Sequence, residues 1–264
     1  GYYKLPLSTS PEIHDNSLKS WLTPNSNYDL AMMRSFAQNM IMLSGETGNE
    51  KNKIQWQNVL DKLEPLAVND NNVLMLSPDE SLSKSHRHHS HCMSVYPLRT
   101  LEYTTDENKL IIDSTIKNLE KLVISEWVGY SVGWMAQLYI IQKNGDKAVK
   151  MLHDFFEYNC TPNGFHINGD YKRKTDFNMK YRLFTLEGNF IATDAIQEML
   201  LLSEWGRIEL FPAVPEDWEN AEFENLRAFG GLLISAKMID GKISRAKISA
   251  TADCDFELKN DLSR

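Results

Sequence analysis

Apolar residues recur at helical spacing over most of this chain and at alternate positions only towards its end. From Asn27 onward, Leu30, Met33, Ala37, Met40 and Ile41 fall on one helical stripe, and Gly45 supplies a stop. Trp56, Val59, Leu60 and Leu63 make a second stripe that Pro65 ends. Two amphipathic helices joined by a short polar loop predict a helical hairpin. Asp106 opens a further helix with Ile112, Ile116, Leu119 and Val123 inward. Ser131 to Lys143 forms the next. Gly145-Asp146 starts another, carrying Val149, Leu152 and Phe156, and the last runs from about Phe190 to Ser203. That last helix is expected to bury Ile191, Ala195, Ile196, Met199 and Leu200.

The segments between these helices are read differently. Residues 1 to 27 hold Pro6, Pro11 and Pro24 among Ser and Asn, which predicts ordered loop. Residues 66 to 85 are polar loop, and a short helix is expected to follow as far as Tyr96. Beyond Trp205 the period drops towards two, so Arg207–Phe211, Gly231–Ile239 and Lys242–Ser249 read as strands. Asp240-Gly241 between the last two marks a tight hairpin, because glycine accepts the positive φ of such a turn. The expected fold class is mainly α with a C-terminal β module: helical hairpins over 1–204, then a small antiparallel β domain over 205–264. The helices share no close sequence repeat, which argues against a solenoid.

Composition narrows the partners. The 264 residues are 42% hydrophobic and 24% charged, with a formal charge of -8. A chain this acidic offers no basic face for phosphates, so nucleic acid is not expected as a partner. A neutral sugar is still compatible. No apolar run is long enough to span a membrane, and Gly1-Tyr-Tyr-Lys-Leu-Pro lacks the shape of a signal peptide. Cys92, Cys160 and Cys254 are widely spaced with no C-x-x-C, and read as buried thiols.

The densest chemistry is His86-Arg87-His88-His89-Ser90-His91, with four of the seven histidines. Three readings stand: a surface turn whose imidazoles cap carbonyls, a polar substrate pocket, or a metal centre. Zinc needs three or four ligands in tetrahedral array, and no H-E-x-x-H is present. Arg87 favours the pocket over the metal, since a guanidinium beside a dication is repelled and its donor fork suits hydroxyls and carboxylates. Two acidic positions lie far away on either side. Glu12 follows a proline in a Ser/Thr-rich loop and reads as solvated or functional. Glu187 precedes the Phe190 helix, where the helix dipole favours an acid, and Gly188 beside it admits close backbone or ligand. Trp21, Trp127 and Trp134 are stacking platforms or core, and Met32, Met33, Met40 and Met42 are core filler.

Taken in order, these stretches resemble glycoside hydrolase family 95, the inverting α-L-fucosidases. Ser8-Thr9-Ser10-Pro11-Glu12 resembles the family's S-T-S-P-E segment, whose glutamate is the general acid. The histidine stretch resembles H-R-H-x-S-H, whose Arg and second His contact sugar; these are Arg87 and His88 here, with His86 beside them. Gly129-Tyr130-Ser131-Val132-Gly133-Trp134 resembles G-W-S-x-A-W, and Leu186-Glu187-Gly188-Asn189-Phe190 resembles I-D-G-N-F, whose aspartate serves the base side. Glu209-Leu-Phe-Pro-Ala-Val-Pro and Leu226-Arg-Ala-Phe-Gly-Gly resemble the approach to the family's C-terminal domain.

The resemblance implies part of an (α/α)6 barrel, its C-terminal half, followed by the C-terminal β domain. It implies Glu12 and Glu187 as catalytic acid and base, with Arg87, His88, His86, Trp134 and Asn189 as sugar contacts. It implies no metal and no organic cofactor. The expected partners are an oligosaccharide or glycan substrate and the N-terminal half of the same enzyme, whose early helices supply two asparagines for water activation. Alone, this chain is expected to be inactive. A secreted or periplasmic location follows from the resemblance alone. Two departures bear on it: Glu187 replaces the family's aspartate, and Ile191 replaces the glycine after the Phe. An inverting pair leaves room for water, with carboxyls about 6.5–9.5 Å apart, and a longer arm alters that gap. The alternative is a carbohydrate-binding barrel that has lost turnover.

Overall fold

The computed structural model describes residues 1–5, 7–15, 17–21, 23–204, 207–253 and 257–259. Pro6 and Cys254 lie outside them. Two compact units divide the chain: residues 1–127 with 176–178, and the remainder from Val128 onward.

The first unit opens with an irregular segment and a one-turn helix, α1 (Leu18–Trp21). Helix α2 (Asn27–Glu46) is started by Ser26, whose side chain accepts from Asp29 N–H. Leu30 and Ala37 of the expected stripe are buried, whereas Met32 is 44% exposed and fills no core. Asn49 caps α3 (Glu50–Leu60), and an edge-on Phe36–Trp56 contact at 5.1 Å joins the two helices as a hairpin. The buried Asn27 side chain bonds Ala67 and Met75, fixing the polar loop that follows α3. The histidine stretch enters only a short 3-10 turn at Ser90–Cys92. Thr105 caps α4 (Asp106–Lys121), which buries Ile112, Ile116 and Leu119. Val123 lies past its end and is 70% exposed, because Leu122 has already turned to extended backbone.

In the second unit, α5 (Gly129–Ile141) is buried on nearly every side, as a central helix with apolar residues all round should be. In α6 (Gly145–Asn159) the inward row is Ala148, Leu152, Phe155 and Asn159, so Phe156 of the expected stripe faces outward. Helix α7 (Leu186–Leu200) starts and stops earlier than its apolar pattern suggests. Ile191, Ala195 and Met199 are buried as expected, but Ile196 falls off their row and is 43% exposed.

The chain then becomes β1 (Leu201–Glu204), β2 (Arg207–Leu210), β3 (Ala221–Ala228), β4 (Leu232–Ile239), β5 (Lys242–Ala250) and β6 (Glu257–Lys259). One sheet has the order β1-β2-β6, antiparallel then parallel; the other is an antiparallel β3-β4-β5 meander. Asp240 and Gly241 both take positive φ at the β4–β5 turn, as the hairpin signal requires. Leu201, Ile208, Phe211, Phe223, Leu232 and Ile234 belong to one apolar cluster. The chain is thus mainly α, with helical hairpins followed by a β module.

Candidate active site

The Ser8–Glu12 segment is fastened to the start of α2. Ser8 Oγ donates to Asp29 at 2.7 Å, and Ser26 Oγ donates to the Thr9 carbonyl at 2.8 Å. Ser10 and Ser90 share a buried hydroxyl contact at 2.6 Å, tying this segment to the histidine stretch. Beyond it the backbone is contorted: Glu12, His14 and Asp15 all have φ between 52° and 62°. Each non-glycine residue held there costs of order 1–3 kcal/mol, so the surroundings must over-determine the loop. The Ser10–Ser90 contact does so on one side, and His14 Nε2 to Glu80 at 2.7 Å does so on the other.

The contorted loop presents the Glu12 carboxylate, about half exposed, to two cations or donors. Arg87 pairs closely with Oε2, and His88 Nε2 lies 2.8 Å from the same oxygen. Oε1 makes no bond among the described residues. Burial holds the His88 pKa below the usual imidazole value even though Glu12 pulls it upward. His86 Nδ1 accepts from His88 N–H at 3.1 Å, and the two rings sit 5.5 Å apart. His89 and His91, by contrast, are fully interior, with pKa values pushed down to about 3 and about 4 chiefly by burial. The four histidines therefore divide into a half-buried pair beside Glu12 and a buried, neutral pair. Among the described residues no three His, Cys, Asp or Glu side chains group to hold a metal ion.

Glu187 is held in a different way. It lies exposed in the first turn of α7, where the helix dipole favours a carboxylate. It makes no ion pair or hydrogen bond among the described residues. What is fixed is the backbone beneath it, and the residue that fixes it, His166, is not one the sequence pattern singles out. His166 is fully buried and stacks on Phe155 at 5.1 Å and 19°. Its Nδ1–H donates to the Thr185 carbonyl at 2.6 Å, just before α7, and burial lowers its pKa although that bond and Glu187 pull it upward.

Two glycines make room for this ring. A Cβ on Gly188 would stand 2.1 Å from His166 Nδ1, and one on Gly129 would stand 2.1 Å from Nε2. Asn189 completes the clamp by accepting from His166 N–H at 3.0 Å and donating to the Gly164 carbonyl at 2.8 Å. The glycines of the Gly129 and Leu186–Phe190 motifs thus serve one imidazole. A histidine flanked in space by helix-opening glycines leaves no local pattern; the glycines themselves are the only clue to it.

The other expected contacts are placed as follows. Trp134 is buried on α5, edge-on to Tyr130 at 5.9 Å, and Trp127 is buried against His89. Trp21 is 49% exposed. Burial, then the charges of Glu187 and Asp194, raises the Tyr130 pKa. Cys92 and Cys160 are buried free thiols, as expected. Within the first unit the structure brings together Glu12, Arg87 and His88. Within the second it brings together the α7 mouth with Glu187 and Asn189.

The first unit thus carries a contorted, ion-paired glutamate, and the second an exposed helix-mouth glutamate and a β module after its last helix. Residues 1–200 match the glycosyl hydrolase family 95 catalytic domain, and residues 202–263 match the glycoside hydrolase family 95 C-terminal domain. The chain belongs to this family. It is similar to Alpha-L-fucosidase 2 of Arabidopsis thaliana, at 25% identity over 252 residues and 92% of the chain. Those residues span 29% of the length of that relative.

Proposed function

We propose that this chain carries the acid and base of a glycoside hydrolase that cleaves a terminal, α-L-fucoside-like bond with inversion. The observation that carries the reading is the Glu12 carboxylate, held on a contorted loop with both partners on Oε2. Oε1 is left for the glycosidic oxygen. In the acid role, protonated Glu12 delivers its proton to the leaving oxygen, and the Arg87 and His88 donors turn to sugar hydroxyls. Glu187, acting as a carboxylate, removes a proton from the attacking water. Attack and departure on opposite faces invert the anomeric carbon. His86 extends the hydroxyl-binding edge. Asn189 acts through the backbone it clamps. Proton transfer and positioning suffice for this reaction, so it calls on no metal or organic cofactor. The remaining barrel helices, expected from the N-terminal part of the same enzyme, complete the water site, and the helical and β parts divide near residue 204.

The test uses the full-length enzyme and an alkyl α-L-fucoside, whose leaving oxygen needs the acid's proton. Glu12→Gln and Glu187→Gln are each expected to lower turnover by about 10²-fold or more with the melting temperature unchanged. NMR of the first product is expected to show the β-anomer. Near-normal turnover in either variant removes that residue's role, and an α-anomer as first product removes inversion.

A further inference from the structure

The motif Glu209-Leu-Phe-Pro-Ala-Val-Pro has no part in the chemistry above, yet it walls a cleft of about 570 Å³ in the second unit. That volume lies within the roughly 300–1,000 Å³ of ligand-binding clefts. Phe211 and Met238 are buried against one side of it, and Trp218 lines it while 40% exposed. Lys143, Glu209 and Glu216 bring charge to the same walls.

The walls are pinned from several directions. Glu216 N–H donates to Asp146 at 3.2 Å, and the β4–β5 turn donates from Gly241 N–H to the Glu219 carbonyl at 2.8 Å. Gly145 presses so closely on Val214 that a Cβ would come within 2.3 Å of its carbonyl. Phe211 itself has φ 51°, a left-handed conformation that is a genuine outlier for a bulky residue. Such strain concentrates where a fold holds a ligand clamp.

The cleft is remote from Glu187. Phe211 N–H bonds to the carbonyl of Leu200, the last residue of α7, while Glu187 sits in the first turn. Thirteen residues at 1.5 Å each separate the two ends by about 20 Å.

We propose that this cleft binds a neutral sugar ring, its C–H face on Trp218 and Phe211 and its hydroxyls on Lys143, Glu209 and Glu216. Glu209 is already paired with Lys143 and lies 3.6 Å from Arg207, so the site holds no spare charge for a metal cation. With Arg207 beside Lys143, two cations face two carboxylates, so no net charge selects a phosphate or other anion either. An apolar floor with charged hydrogen-bonding groups at its edge suits a polyhydroxylated ring better than a purely apolar ligand. The sugar class rests on the glycosidase reading; the cleft would hold a glycan at a place remote from Glu187.

The test titrates L-fucose, D-galactose and D-xylose into the Glu187→Gln protein, read by saturation-transfer NMR and tryptophan fluorescence. Trp218→Ala is expected to weaken one of these sugars by about tenfold, the equivalent of one aromatic contact, with an unchanged melting temperature. Trp218→Phe is expected to retain that binding, Lys143→Met to weaken it, and Arg87→Ala to leave it untouched. Binding that ignores both Trp218→Ala and Lys143→Met, or saturation of the cleft by a proline-rich peptide and by no sugar, overturns the proposal. Because no turnover is read, an enzyme that fails the Glu12→Gln test would still show whether the cleft takes a sugar.

Discussion

The two glutamates proposed as acid and base are placed by opposite strategies. Glu12 is held through its own carboxylate, with Arg87 and His88 on one oxygen and a left-handed backbone forcing the side chain outward. Glu187 has no such partners among the described residues; the helix start beneath it is locked by His166, Gly188 and Asn189. An acid that gives and regains a proton needs partners that can exchange with substrate. A base that faces water needs an open carboxylate on a rigid mount. The same contrast orders the consequences of disturbing each side.

The largest expected effect separates the two units by pH. His89 and His91 are buried with pKa values near 3 and 4, against 6.5 for a free imidazole. Between those values the unfolded chain binds more protons, so stability is fully present above pH 6.5 and is lost as pH falls towards 3. At about 1.4 kcal/mol per unit, each histidine accounts for on the order of 3–5 kcal/mol by the acid end of that range. Hydrogen exchange followed from pH 7 to 4 should show residues 86–95 losing protection before the start of α7, where His166 is the single buried imidazole. Simultaneous loss on both sides would erase the distinction.

The next effect is on turnover alone. Arg87→Ala removes the closest partner of Glu12, and a misplaced catalytic group costs about 10²-fold in rate. The melting temperature should hardly move, since the pair is substantially exposed. Steady-state kinetics with a phenol leaving group of low pKa, which needs little protonation, should recover most of the loss. An equal loss with every leaving group would show that Arg87 acts through its sugar contact alone and does not position the acid.

On the other side, Gly188→Ala drives a methyl into the His166 ring, and overpacking of this kind costs typically 1–3 kcal/mol. Thermal melts should show that loss, with reduced turnover because the mount of Glu187 shifts. His166→Asn keeps a donor for the Thr185 carbonyl while giving up the Phe155 stack, so it should lose stability yet retain more turnover than His166→Leu. If His166→Leu matches the wild type in turnover, the mount is merely structural.

How much of this is legible follows from where each signal lies. The helices announce themselves because burial of one stripe imposes a 3.6-residue period, and the errors fall where apolar side chains face outward, at Val123, Phe156 and Ile196. Strand β3 escapes the pattern because it carries Glu222, Glu224 and Arg227 on its open face and a bulge at Asn225 breaks its alternation. The start of α7 lies earlier than its apolar period implies because Gly188 and Asn189 are weak helix formers, kept there for His166. Arg87 and His88 stand out through the density of the histidine stretch, but only the resemblance joins Glu12 to them; no local period links positions 76 residues apart. His166 has no pattern at all, since its partners come from three separate stretches.

The smallest predicted effect concerns the departures from the family pattern, and it explains one of them. By the motif resemblance, alanine is expected where Gly133 stands, and glycine where Ile191 stands. In this chain a Cβ on Gly133 would lie 2.5 Å from Ile191 Cγ2. The two substitutions are therefore one exchange across the α5–α7 contact: the side chain lost from one helix makes room for the larger one gained by the other. Gly133→Ala alone should destabilise by roughly 1–2 kcal/mol even though alanine is the better helix former, because the clash outweighs a propensity gain of about 1 kcal/mol. In the Ile191→Ala background the clash is gone, so Gly133→Ala should become neutral or stabilising. A double-mutant cycle read by chemical denaturation measures the coupling. Additive effects would mean that the exchange is two unrelated changes, and that α7 approaches α5 less closely than its small residues suggest.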